Sequence, residues 1–192
     1  MTTPALLAGW SALLALGATI VGAVTLVLFF ARGGAWGKLN DAASVVLLLA
    51  MIPVAIVIAA LEGQTTASLA VAAIGIAAMV VVAVLQALLA AGRVTYEGTK
   101  AAVLGGGAVI GVWYILAALL MGVNGLDGPH RWLALAAGIG YIAIGFGFLV
   151  GNERHPLSVG GGLLLLVASC TFLGVLGFGL VTGRTTIPAW NA

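Results

Sequence analysis

The chain has 192 residues, 63% of them hydrophobic and 6% charged, and its seven basic and five acidic side chains leave a formal net charge of +2. Soluble domains carry roughly a quarter charged residues, so these proportions exclude an ordinary soluble globule, and so small and scattered a charge excludes nucleic acid as a partner. The 29 glycines follow no period of three, which excludes a collagen-like chain; within apolar helices small residues let backbones approach one another.

At the amino end Thr3 and Pro4 read as a cap and a first-turn proline, and residues 5–31 form an apolar run. No Lys or Arg precedes this run and no polar cleavage region follows it, so it reads as an uncleaved first helix and not a signal peptide. The linker RGGAWGKLND places Trp36 beside Lys38, the composition of an anchor at a membrane interface. Asn40 and Asp41 are expected to cap a second helix over residues 41–61, and the interval up to Glu62 is about 30 Å long at 1.5 Å per residue, the thickness of a bilayer core. Pro53 inside it has no N–H to offer the Leu49 carbonyl, which predicts a kink.

Thr65 or Thr66 caps a third helix over 67–91, whose one amide is Gln86. Thr95 caps a fourth over 98–121, with Glu97 in the first turn facing the positive end of the helix dipole. Gly107 and Gly111 stand at the small-xxx-small spacing of a close helix crossing, and Trp113 and Tyr114 follow near mid-span. Pro129 opens a fifth helix over 131–150 that contains Tyr141; His130, Arg131 and Trp132 lie at its start. The sixth covers 158–182, with Ser169, Cys170 and Thr171 midway, where hydroxyls can bond back to the preceding turn. Trp190 is a last interfacial anchor. The pattern predicts an all-α fold: a polytopic integral membrane protein whose residues 1–192 make one compact bundle of six transmembrane helices.

Lys and Arg concentrate in short cytoplasmic loops. The first, third and fifth loops hold Arg32, Lys38, Arg93, Lys100 and Arg154, against Arg131 and Arg184 elsewhere. This asymmetry predicts a multi-pass protein of the inner or plasma membrane with both termini outside. At an offset of 89 residues, Gly22 falls on Gly111 and Gly33 on Gly122, a faint likeness between halves that would make an inverted repeat of three helices. The lone cysteine, Cys170, cannot form an intrachain disulfide.

No Asp, Glu, Lys, Arg or His falls in the middle third of any span, which argues against a proton-driven transporter. HExxH, G-x-S-x-G, P-loop and CxxC signatures are absent from the sequence. No catalytic residue, metal ligand or cofactor is therefore assigned. Trp113, Tyr114, Tyr141 and Gln86 are the candidate ligand-binding residues, since each carries a polar atom at depth that needs a partner. A cytoplasmic polar rim of Asp41, Arg93, Glu97 and His155, with Glu153 nearby, is the other candidate.

Three readings follow from these residues. The first is a noncatalytic subunit or a binder of a small apolar molecule, with the lipid bilayer and either another membrane protein or a second copy of the chain as partners. A facilitator or channel for a small neutral solute is the second; its polar lining is limited to Ser44, Gln86, Tyr141, Ser169, Cys170 and Thr171. The third, an interfacial lipid-modifying enzyme, requires Asp41, Glu97 and His155 to converge. The segment GAWGKLNDAASV resembles small bacterial membrane proteins of unassigned activity, a likeness that implies no chemistry.

Overall fold

The computed structural model describes residues 3–123, 128–151 and 154–185. They form six helices: α1 (Thr3–Arg32), α2 (Ala35–Leu61), α3 (Thr66–Ala90), α4 (Tyr96–Val123), α5 (Pro129–Val150) and α6 (Pro156–Val181). All six are long and apolar enough to cross a membrane. Glu153, Trp190 and the turn expected over residues 124–127 lie outside the described residues.

Local chemistry sets most boundaries as expected. Thr65 caps α3 by accepting from the Ser68 N–H at 3.1 Å, and the Gly98 N–H donates to the Thr95 hydroxyl at 3.3 Å before α4. Pro129 and Pro156 occupy first turns, where a missing N–H costs nothing. The second helix requires a correction. Asn40 and Asp41 do not cap it, because α2 already begins at Ala35. Gly33 and Gly34, both at φ +65°, reverse the chain in two residues, a conformation open to glycine. Trp36, Lys38, Asn40 and Asp41 are consequently helical, and the Ser44 hydroxyl donates back to the Asn40 carbonyl at 2.9 Å. Pro53 falls within this continuous helix.

Each helix packs against its neighbours in sequence, and α6 closes on α1, so the six stand in a ring with α2 also touching α4. Loops of a few residues force this up-and-down order. Met51 and Val54 of α2, Met79 of α3, Trp113 and Tyr114 of α4, and Phe172, Leu173 and Leu176 of α6 fill the centre. The outward faces are equally apolar: Leu7, Trp10, Leu14, Val27, Val81, Phe146, Leu149 and Phe178 are all exposed.

Small residues bring the helices together. A Cβ at Gly111 would lie 2.9 Å from the Gly138 carbonyl, and one at Gly140 would lie 2.8 Å from the Gly161 carbonyl. These are the α4–α5 and α5–α6 crossings. Gly107 is not part of that contact; its nearest neighbour across the gap is the Tyr141 ring. The glycines aligned between the halves also differ in role. Gly33 makes a turn, whereas Gly122 is helical and lies under the Arg131 guanidinium.

Candidate functional site

The loops divide the bundle into two ends. The basic end carries Arg32, Lys38, Arg93, Lys100 and Arg154; the opposite end carries Glu62, His130 and Arg184. A cavity of about 170 Å³ reaches into the basic half between α2, α3, α4 and α5. Leu48, Val82, Leu104 and Ile110 supply apolar wall, and Ser44, Gln86 and Tyr141 supply polar atoms. Gly107 and Gly145 line it too, so space that side chains would fill stays empty. A deeper void of about 40 Å³ shares Leu47, Leu48, Ile110 and Tyr141 with the first and adds Thr19, Met51, Tyr114 and Ser169.

Tyr141 stands at the junction. Its ring stacks with Tyr114 at 6.2 Å between centroids, and the Tyr114 hydroxyl donates to the Met51 sulfur at 3.8 Å and hydrogen-bonds with Ser169. Below Tyr114 the described side chains fill the centre. Phe172 meets it edge-on at 6.0 Å, and Leu176 and Leu180 continue the packing toward the opposite end.

The four expected ligand-binding residues are thus split. Gln86 and Tyr141 line the larger cavity, while Tyr114 and Tyr141 line the deeper void. Trp113 lines neither: its indole lies against Gly75 and 4.6 Å from the Tyr114 ring. Of the six polar residues considered for a lumen, Ser44, Gln86, Tyr141 and Ser169 fall on these walls. Thr171 is outward and bonds back to the Val167 carbonyl at 2.8 Å, and Cys170 is half-buried. The Gln86 Oε1 is buried with no hydrogen bond.

The polar rim is spread over α2, the α3–α4 turn, α4 and the start of α6. Asp41 is half-buried in the second turn of α2, Glu97 is exposed in the first turn of α4, and Arg93 is exposed between α3 and α4. His155 is occupied as the cap of α6, its Nδ1 accepting from the Leu157 N–H at 3.3 Å. Among the described residues no group of three or more His, Cys, Asp or Glu is placed to hold a metal ion.

Two residues at the opposite end were not among the sequence candidates. Glu62 is 2% exposed and its Oε1 has no partner. Positive φ at Gly63 and Gln64 lets their N–H groups return to the Ala60 and Ala59 carbonyls, which tucks the carboxylate inward. Burial pushes its pKa up to about 7. The other is His130, whose Nε2 is buried without a partner beside Phe172, the rings 6.3 Å apart. Neighbouring Arg131 lies over the Trp132 ring at 5.2 Å.

Comparison with known proteins finds no matching family model, no matching curated protein and no matching solved structure.

Proposed function

We propose that this is a multi-pass membrane protein that binds one small, mostly apolar molecule in the cavity of its basic half. The membrane part rests on six apolar helices whose outward faces carry Leu, Val, Phe and Trp as freely as the core. Water would penalise so much exposed apolar surface, whereas lipid does not. The five basic side chains of one end favour that end as cytoplasmic in an inner or plasma membrane, with both termini outside. Labelling of a single cysteine checks this: in a Cys170→Ala background, Arg93→Cys should react only from the cytoplasmic side and Gln64→Cys only from outside. The reverse pattern would invert the assignment.

The single observation that carries the binding reading is Gln86, which lines a preformed cavity and whose buried Oε1 has no hydrogen-bond partner. A buried amide oxygen without a hydrogen bond costs about 1–3 kcal/mol, and turning the amide onto a ligand that bears one donor would remove that cost. The cavity volume of about 170 Å³ is close to the roughly 150 Å³ at which an apolar protein cavity accepts a benzene-sized molecule. The ligand class is thus a small ring or short chain with one polar group, lying between Leu48, Val82 and Ile110. Because Gly138, Gly140, Gly145 and Gly147 of α5 are all buried inside the bundle, that helix offers no glycine face to a partner helix. Solute passage is the weaker reading, because Phe172, Leu173 and Leu176 close the way beyond Tyr114.

Native mass spectrometry of the chain purified from its own membranes tests the proposal, with bound molecules released and identified. One small molecule per chain is expected. It should be lost in Gly107→Leu, which fills the cavity from a position where a Cβ meets nothing nearer than 3.9 Å, and weakened in Gln86→Leu. A wild-type chain that carries only bulk lipid would refute binding.

A further inference from the structure

Helix α1 changes partners half-way along. Its first half sets Ala5, Ala8, Ala12 and Ala15 into the bundle, and a Cβ at Gly177 of α6 would lie 2.9 Å from Leu13 and 3.1 Å from the Gly9 carbonyl. Beyond Ala18 its one buried residue is Thr25, and its close approaches are to α2, Gly22 toward Ala43 and Phe29 onto Gly37. At that same end α6 is held instead by α5, where Gly147 touches Ser158 and Gly161 touches Gly140. The two helices therefore diverge toward the basic end.

The gap is an outward-facing groove of about 500 Å³. Leu26, Val27 and Phe30 form one wall, Phe148 and Leu163 another, and Arg154 with Ser158 closes its outer end. Along α6 it runs from Ser158 to Leu166, about 12 Å at 1.5 Å per residue, which is most of one leaflet of a hydrocarbon core some 30 Å thick. Its volume is that of a site for a ligand of lipid or drug size, about 300–1,000 Å³, and is too large for the molecule proposed for the inner cavity. Ile144 lines both spaces and is the partition between them.

We propose that this groove binds an anionic phospholipid of the cytoplasmic leaflet, with one acyl chain between α1 and α6 and the phosphate at Arg154. The apolar walls exclude water along the chain, and the cation stands where a headgroup must sit. Basic positions between helices on this side of a membrane recognise anionic headgroups in this way. The inference rests on the reading that the helices cross a bilayer, but not on the inner cavity's being occupied.

The full chain in a mild detergent, titrated with dioleoylphosphatidylglycerol or dioleoylphosphatidylcholine and followed by native mass spectrometry, tests it. Wild type is expected to bind the glycerol lipid roughly fivefold more tightly, the weight of one basic side chain beside an anionic headgroup. Arg154→Gln should abolish that preference and Arg154→Lys keep most of it. Gly162→Phe should weaken both lipids equally, since Gly162 lines the groove and a Cβ there meets nothing within 4 Å. Unchanged helical circular dichroism shows that each variant folds. Equal binding of the two lipids by wild type overturns the proposal, as does Gly162→Phe that binds both normally. A dimer dissolved by Gly162→Phe with lipid binding intact also overturns it, in favour of a second copy. Failure of the membrane reading looks different: the chain would be recovered in the aqueous fraction without detergent.

Discussion

The two ends of the ring are built from the same kind of residue and do opposite things with it. At the opposite end large side chains interlock: Phe172, Leu176 and Leu180 pack below Trp113 and Tyr114, and α1 lies tightly on α6 through alanine and glycine. At the basic end Gly107 and Gly145 leave a hole inside the ring, and the divergence of α1 leaves a groove outside it. Apolar composition alone therefore does not decide whether a helical bundle is solid. What decides is where small residues fall: opposite another backbone they close a gap, and opposite a distant side chain they open one.

Paired truncations sharpen this contrast most strongly. Leu176→Ala removes a side chain that is 2% exposed within the solid half and should cost on the order of 2 kcal/mol or more in thermal unfolding in detergent. Leu104→Ala, on the cavity wall, should cost clearly less, because one side of that leucine already faces empty space and has fewer contacts to lose. Equal losses would mean that the basic half is as tightly packed as the other.

A smaller effect separates the ends by pH. The Glu62 carboxyl is raised to about 7 from an ordinary value of 4.5, so between those values the folded chain holds a proton that the unfolded chain has released. Stability is then fully present below about pH 4.5 and falls as pH rises through 7. Glu62→Gln should flatten that slope, leaving the melting temperature near its wild-type value at pH 5 and raising it at pH 8. An identical pH profile in both proteins would show that Glu62 is hydrated when folded.

The outline of the fold was legible because bilayer-length apolar runs separated by capping residues leave little choice; Thr65, Thr95 and Pro129 mark their helices as expected. The start of α2 was misread because Asn40 and Asp41 look like caps whether or not a helix already runs through them. Of the site, Gln86 and Tyr141 were legible as polar atoms at depth. Trp113 was equally conspicuous, and nothing in its sequence neighbourhood reveals that Gly75, on another helix, would take up its ring. Glu62 gave no signal, since EGQTT reads as a solvated turn until positive φ at Gly63 and Gln64 directs the carboxylate inward.

By itself, then, the sequence determined six long apolar helices, their order, and a basic bias at one end, because these depend on composition and on spacing along a single segment. The tertiary structure alone decided that the helices close into a ring, that one half is solid and the other hollow, and that α1 parts from α6. Those outcomes depend on which glycine meets which side chain across helices. Residues such as Gly75 and Trp113 are 38 positions apart in the chain, and no local pattern links them.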